Sequence, residues 1–384
     1  MLRFLDAGES HGRALIAVVD GFPSNFKIDM GNINEELKRR QMGYGRGKRM
    51  SIEQDAVEIW SGVRGSITTA NPLTLIIYNK DYKNWKELIN TEADEKEKIT
   101  VPRPGHGDLV GYFKYKTGDI RDVIERTSAR ETAIRTAVGA VCKQMLKSLG
   151  IKIRSQVIEI AGIKEEKQDL FNDKVYDIIN KSEVKCFNKK VEEKIKKRID
   201  EAAIKGDTLG GAVHISINGM FIGLGSYTQW DKKLDGILSH AIMSLQGIKG
   251  VAFGEGINTE MTGVDFNDEI YIEKGNIKRR TNHCGGIEAG VSNGENIEIT
   301  AYMKPIPSVK KGIDSIDLKK MINVKSRYER SDVCAVIPAA VVLENICAYE
   351  ILNEILKQFP CSDFDTLQEQ INKHKDYILK YMEE

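Results

Sequence analysis

The stretch Ser128-Ala129-Arg130-Glu131-Thr132-Ala133-Ile134-Arg135-Thr136-Ala137-Val138-Gly139-Ala140-Val141-Cys142-Lys143-Gln144-Met145-Leu146-Lys147-Ser148-Leu149-Gly150 decides how the rest of the chain is read. It opens with an S-x-x-E capping box, and Ala133, Ile134, Ala137, Val138, Val141, Met145 and Leu149 then recur at spacings of three and four. That pattern predicts a helix with a defined start and one broad apolar face. Upstream, the short apolar run 14–19 between glycine-marked turns predicts a buried strand. Asn32 with Glu35 predicts a helix start, and the alternation Val57, Ile59, Ser61, Val63 and the aliphatic run 73–78 predict two more strands. Downstream, 212–217, 220–226 and 296–303 read as strands, 234–246 as a helix with Leu234, Ile237, Leu238, Ala241, Ile242 and Leu245 on its buried face, and the tail 341–383 as mostly helical. The second half repeats the grammar of the first, as expected of two similar halves around one core. Residues 80–100 and 162–206 are rich in Lys, Asp and Glu and read as peripheral excursions, the second with an amphipathic helix through Val191, Ile195, Ile199 and Ala202.

Composition narrows the function classes. The chain has 384 residues, 41% hydrophobic and 29% charged, with Lys+Arg 57 against Asp+Glu 56 and a net charge of +1. This is a globular composition, neither disordered nor fibrous, and it carries no global polyanion signal. The longest uncharged apolar run, 333–343, contains Pro338 and is short of the roughly 20 residues a bilayer span needs. The N-terminus has no apolar signal stretch, so no membrane association and a cytoplasmic location are expected. The six cysteines show no C-x-x-C spacing, so reduced thiols and no metal site are expected, with Cys142 and Cys347 in the core.

Several loops carry chemistry-bearing side chains. Gly8-Glu9-Ser10-His11-Gly12 presents a hydroxyl and an imidazole just before a strand. Residues 38–49, Lys-Arg-Arg-Gln-Met-Gly-Tyr-Gly-Arg-Gly-Lys-Arg, hold six basic side chains and no acid, a composition that suits a phosphate or carboxylate as well as it suits a solvated basic loop. Near-zero net charge and the lack of interleaved aromatics argue against nucleic acid. Neither a dinucleotide fingerprint nor a P-loop is present. Arg103-Pro104-Gly105-His106-Gly107-Asp108 sets a second histidine on a constrained loop, where a structural role and proton transfer are both open. Arg126-Thr127-Ser128 leads into the capped helix, whose N-terminus favours an anion, and Ser128 is either a cap or a ligand contact. Lys304-Pro305-Ile306-Pro307-Ser308 and Arg330-Ser331-Asp332 are candidate cleft linings, while His214 and His240 read as structural and His374 as solvated.

Taken in order, Gly-Glu-Ser-His-Gly at 8–12, the Arg/Gly cluster at 39–49, Arg-Pro-Gly-His at 103–106, Ser-Ala-Arg-Glu-Thr at 128–132, Gly-Asp-Thr-Leu-Gly-Gly at 206–211, Lys-Pro-Ile at 304–306 and Arg-Ser-Asp at 330–332 resemble chorismate synthase across nearly the whole chain. The resemblance implies an α+β fold, a β-α-β sandwich of two antiparallel sheets with helices packed between them, as one domain over 1–384 and usually as a homotetramer. It implies a carbon–oxygen lyase that eliminates phosphate from 5-enolpyruvylshikimate 3-phosphate to give chorismate. That reaction needs reduced FMN without net redox change, with NADPH as one source of electrons and a separate flavin reductase as another. By resemblance, Arg40, Arg46, Arg49, Arg103, Arg130 and Arg330 clamp the substrate. His11 assists phosphate departure, His106 acts on the flavin ring, Asp332 relays the ring proton, and Ser10 and Ser128 support the network. Arg126, Thr127, Ser128, Gln246, Gly247, Ala289, Lys304, Pro305, Ile306, Pro307, Ser308 and Arg330 contact the cofactor, and Arg40 and Arg46 also match positions tied to nicotinamide use. The chain departs from many members at Ser331 and Val333, where His and Pro are common. A flavin-dependent oxidoreductase and a polyanion-binding module are the competing readings.

Overall fold

The structure is a computed structural model and describes residues 1–47, 53–91 and 97–380. Its N-terminal sheet is antiparallel throughout, in the order Arg3–Ala7, Ala14–Asp20, Leu73–Tyr78, Val57–Ser61. The period of two sets Leu15, Ala17 and Val19 against Leu73, Leu75 and Ile77 on one buried face. A second antiparallel sheet runs Ile248–Phe253, Ile297–Met303, Gly211–Asn218, Lys152–Ile160, Ile163–Lys164. Its inner face carries Val213, Ile215, Ile217, Ile297, Ile299 and Ala301.

Helices fill the space between the sheets. Thr132–Ser148 packs on the N-terminal sheet, Val336–Gln358 packs on the second, and these two helices pack on each other. Gly139 makes that approach feasible, since a Cβ there would lie 2.2 Å from the carbonyl oxygen of Asn345. Met30–Gln41 packs against both central helices, and Leu234–Met243 joins Val336–Gln358 over the strand Ile248–Phe253. Each half of the chain thus supplies a sheet and its helices, and a single buried apolar cluster runs through both. Full burial of one such aliphatic side chain contributes about 1.5–3 kcal/mol. Cys142 and Cys347 lie in this core as unpaired thiols.

Several local readings change. Met30–Gln41 starts two residues before Asn32, because Asp29 supplies the cap, its carboxylate accepting from Gly31 N at 2.8 Å. At Ser128 the chain makes a 3-10 turn, Ala129–Glu131, before the α-helix begins. Ser128 Oγ accepts from Arg130 N at 3.3 Å, but Glu131 turns away to Gln246, so no reciprocal capping box forms. The apolar run at 333–343 extends into a 23-residue helix, long and apolar enough to cross a membrane, yet 89% of its apolar window is buried inside the protein. It is the central core helix. The 162–206 excursion is not wholly peripheral, for Val184, Cys186, Ile195, Ile199 and Ala202 enter the core cluster through the helix Lys189–Lys205 and the segment before it. Within 80–100 the chain forms a helix, Tyr82–Asn90. His374 is half-buried between Phe221 and Phe359, with Nε2 2.8 Å from Ile222 O, rather than solvated. His240 is exposed, whereas His214 is buried and paired with Glu298 as a structural histidine would be.

Candidate functional site

The turn between the first two strands carries Ser10 and His11 inward, and both are buried. Glu125, on the helix Ile120–Thr127, fixes this turn twice. Its backbone oxygen accepts from Ser10 N at 2.9 Å, and its carboxylate accepts from His11 N and faces His11 Nδ1, both at 2.8 Å. Burial alone pushes the Glu125 carboxyl pKa up, but the bonds and charge of His11 and the nearby Arg121 hold it below its ordinary value. Ser10 Oγ donates to Ser128 Oγ at 3.0 Å. A carboxylate on Nδ1 keeps a proton on that nitrogen and directs His11 chemistry to Nε2.

The loop before the helix Asp108–Tyr115 closes on its first residue. Asp108 is fully buried and accepts from Arg103 N (3.0 Å), Arg103 Nε (2.8 Å) and Arg103 Nη2 (3.0 Å), and lies 2.6 Å from His106 Nδ1. Burial pushes the Asp108 carboxyl up, yet hydrogen bonds from His106 and Arg103 outweigh it and hold the group well below the usual carboxylate range. Arg103 and His106 thus share one anion. Arg121 and Arg327 flank Glu329 beside them, Arg121 Nη2 at 3.7 Å and Arg327 in an ion pair.

A second wall gathers arginines from distant segments. Arg40 ends the helix Met30–Gln41 and is buried. Its Nε donates to Thr132 Oγ1 and its Nη2 to Ala129 O, both at 2.9 Å, and its Nη1 lies 3.6 Å from Asp55 Oδ2. Arg130 donates from Nε to Asn79 Oδ1 at 2.8 Å and from Nη1 to Asp55 Oδ1 at 2.6 Å. Asn79 in turn donates to Gly12 O at 2.8 Å, which ties this wall to the His11 turn. Arg40 Nη1 and Arg130 Nη2 are buried without a hydrogen-bond partner. Burial, with Arg130 and Arg46 nearby, pushes the Arg40 pKa down to about 10 against the pull of Asp55 and Asp332. Arg46 pairs with Asp332, whose Oδ1 also accepts from Gly47 N at 2.7 Å. Arg330 is 55% exposed and sits 3.7 Å from Asp81. Arg49 lies outside the described residues.

From 39 to 47 the basic stretch is therefore not a solvated loop. Gly43 and Gly45 take positive φ, and a Cβ at either would meet Ile337 or Ile199 within 2.7 Å, so the loop is pressed onto the core helix and the helix Lys189–Lys205. Arg39 turns into the interior instead, to Glu36 at 2.7 Å and Glu344 at 2.9 Å.

Most of the expected cofactor contacts form one continuous strip. Arg126 pairs with Asp6 at 2.8 Å, and the Thr127 methyl abuts Gly107, where a Cβ would come within 3.0 Å. Gln246 donates to Glu131 at 3.0 Å, while its Oε1 is buried and unbonded. Gly247 O accepts from Lys304 N at 2.9 Å, and Lys304 Nζ donates to Gly105 O at 2.5 Å. Ile306 O accepts from Thr208 Oγ1 at 2.7 Å, Pro307 lies beside Gly105, and Ser308 Oγ donates to Glu329 O at 2.8 Å. Pro305 packs on Gly210. Ala289 is different. It occupies a turn at φ 51° beside the start of Leu234–Met243, whereas Gln246 follows the end of that ten-residue helix, about 15 Å away.

The residues that sequence reasoning missed are mostly carboxylates and one ring. Glu125 was legible as an acid on the apolar Ile120, Val123, Ile124 face of its helix. Asp55 and Glu53 carried no local signal. Trp85 stands in a stretch read as solvated, yet its ring stacks on His11 with centroids 3.9 Å apart. Two open grooves, about 540 Å³ beside Tyr44 and Asp200 and about 420 Å³ beside Ser216 and Glu298, do not coincide with these walls. The case for the site rests on buried charge and unmet hydrogen bonds.

Comparison with known proteins gives the family and the fold. The family model described as chorismate synthase matches residues 2–356. A chorismate synthase of Clostridium tetani is 58% identical over 98% of both chains, and one of Alkaliphilus oremlandii is 49% identical over 98% of this chain and 99% of its own. A crystal structure of chorismate synthase superposes with a TM-score of 0.79 at 33% identity, covering 98% of each chain. The seven ordered motifs, the two-sheet sandwich and this full-length similarity agree, and the chain belongs to the chorismate synthase family.

Proposed function

We propose that this protein is a lyase of the shikimate pathway that removes phosphate and a ring hydrogen from 5-enolpyruvylshikimate 3-phosphate to form chorismate. The observation that carries the reading is the pair of buried guanidinium groups with unmet N–H donors, Arg40 Nη1 and Arg130 Nη2, beside the His11 turn. Buried donors of fixed geometry are what a phosphate leaving group needs as its charge develops. Arg103, Arg46, Arg49 and Arg330 take the substrate carboxylates and the remaining phosphate oxygens. His11, held at Nδ1 by Glu125, donates from Nε2 to the departing phosphate, with Ser10 and Ser128 keeping the turn in place. His106, held at Nδ1 by Asp108, presents its other edge to the cofactor side. Asp332 moves a proton only after Arg46 turns from it to the substrate.

The strip from Arg126 to Ser128, Gln246, Gly247 and 304–308 fits a flavin mononucleotide. Gln246 Oε1 is an unmet buried acceptor for a ring N–H, Lys304 and Arg126 are cations for the phosphate side, and 304–308 offers backbone groups. When bound in reduced form, the flavin supplies electron density to the breaking carbon–oxygen bond and a basic nitrogen for the ring hydrogen. In this reading FMN is the flavin and NADPH or a separate reductase supplies its electrons. The chain acts as one domain in a cytoplasmic homotetramer.

The test is anaerobic turnover of 5-enolpyruvylshikimate 3-phosphate with dithionite-reduced FMN, following phosphate and chorismate, with an oxidised-FMN control. Equal release of both products over many turnovers per flavin, only with reduced FMN, is expected. Consumption of reductant in step with product would return the chemistry to a flavin oxidoreductase. His106→Ala is expected to lower turnover about 10²–10⁴-fold with the fold intact.

A further inference from the structure

We propose that Trp85 is the positioning residue of His11 and links it to the substrate clamp at Arg330. This rests on the reading of His11 as the donor to the departing phosphate. The helix Tyr82–Asn90 has no fully buried residue, and its side of the site is held by one large side chain. The Trp85 ring lies 3.9 Å from the His11 ring, centroid to centroid, at an interplanar angle of 28°. The Arg121 guanidinium stands 5.2 Å from the Trp85 ring centroid, and Arg121 Nη1 also reaches the Glu125 carboxylate at 3.4 Å. His11 is thereby bounded on three sides: its Nδ1 edge by Glu125, one face by the indole, and the backbone by the same carboxylate. A histidine held only at Nδ1 keeps freedom to swing about that bond. With a ring stacked on its face it does not, and Nε2 keeps one direction. The charged groups facing His11 through these contacts are Glu125 and Arg121, both from the helix Ile120–Thr127.

The indole also faces the clamp. Trp85 Nε1 donates to Asp81 Oδ2 at 3.2 Å, and that same oxygen is 3.7 Å from Arg330 Nη2. An anion that draws Arg330 toward itself takes it from Asp81, whose carboxylate also accepts from Trp85 and, at its other oxygen, from Asn84 at 2.7 Å. The position of the Arg330 side chain is therefore felt at the ring that sets His11. The stretch that composition marks as solvated supplies this contact.

Two readouts test it. The chain has three tryptophans, and Trp60 and Trp230 are 63% and 79% exposed and remote from the described contacts. In a Trp60→Phe, Trp230→Phe background, which is expected to keep parent activity, emission comes from Trp85 alone. An imidazole stacked on the indole alters its emission, so at one fixed pH the intensity should change after His11→Asn. In the same full-length protein, Trp85→Leu should lower kcat roughly 10–100-fold with KM within about threefold, the size of effect that a misplaced donor produces. Trp85→Phe, which keeps a stacking face, should recover most of kcat. Emission that ignores His11→Asn overturns the stack. Emission that responds to His11→Asn, with wild-type kcat in Trp85→Leu, overturns the positioning role while leaving the phosphate-lyase reading intact. Failure of that reading would show separately, as absence of chorismate from the parent enzyme, and would overturn the inference with it.

Discussion

Replacing Asp108 by Asn removes one charge from the point where Arg103 and His106 meet, and its consequences can be worked out. Asp108 is fully buried, with three bonds from Arg103 and one from His106. Removing one partner of a buried ion pair costs about 3–5 kcal/mol. The Asn oxygen retains one or two of the Arg103 bonds at about 1 kcal/mol each, leaving a net loss of about 1–4 kcal/mol. At about 2 °C per kcal/mol for a large chain, Tm at pH 7 should fall by about 2–8 °C. The pH dependence has a definite sign. The folded-state pKa lies well below the unfolded value of about 3.9, so the stabilisation is present above that value and is lost as pH falls through the folded pKa. Parent and variant should therefore converge in Tm only below about pH 4.

The chemical consequence is independent of the thermal one. The Asn amide donates where the carboxylate accepted, so His106 Nδ1 must become an acceptor and its proton must move to Nε2. Turnover should drop about 10²–10⁴-fold. Thermal melts from pH 3 to 8, run beside anaerobic turnover, separate the two effects. An unchanged Tm at pH 7 would refute the claim that Asp108 compensates the buried Arg103. A lowered Tm with unaltered turnover would refute the claim that the Nδ1 proton of His106 matters to the reaction.

Further outcomes follow from other contacts. Inorganic phosphate should raise the Tm of the parent, by about 2.7 kcal/mol of stabilisation at 100 times its Kd, and Arg130→Gln should abolish most of that shift. The same protection should fade as pH rises through about 10, where Arg40 loses the charge that anion binding requires; phosphate-dependent melts between pH 8 and 11 check this. Glu344→Gln should cost about 3–5 kcal/mol in urea unfolding, because the buried carboxylate serves Arg39 at 2.9 and 3.0 Å and Ser155 at 2.6 Å. Gly139→Ala should destabilise by about 1–3 kcal/mol or more, since its Cβ would sit 2.2 Å from Asn345 O between the two central helices; calorimetry would read the loss.

The legibility of this protein divides by the range of the signal. Strands and helices with a clear period, such as Leu73–Tyr78 and Thr132–Ser148, were readable because side-chain alternation and the three-to-four spacing are local consequences of burial. Two antiparallel sheets around paired helices came instead from resemblance, because strand order depends on which residues meet across long separations. The site followed the same division. His11 and His106 sit on glycine-rich turns that stand out in sequence, and Arg46 and Asp332 stand out through their motifs. Asp55, Asp81 and Glu125 do not, because they reach the site from other segments and look like ordinary surface acids. Trp85 was missed for the reverse reason, since the charged residues around it describe the outer side of its helix and say nothing of its inner one.

These acids change how the proposed clamp works. Arginines gathered together would repel one another, but in this structure Arg46, Arg103 and Arg330 each stand against a carboxylate, and Arg40 and Arg130 share Asp55. Binding is then an exchange rather than a neutralisation, and the exchange is unequal around the site. A phosphate can take Arg40 Nη1 and Arg130 Nη2 without breaking an existing hydrogen bond, since each only faces a carboxylate oxygen at longer range, Asp55 at 3.6 Å and Glu53 at 3.7 Å. A substrate carboxylate approaching Arg46 must displace Asp332, which also holds Gly47 N. The phosphate end should therefore supply most of the affinity. The carboxylate ends should supply discrimination, because a ligand that fails to displace Asp332 leaves the residue proposed as proton relay tied up. Weak binding of a ring carboxylate without phosphate, measured against inorganic phosphate on the same protein, would agree with this order; tighter binding of the phosphate-free acid would contradict it.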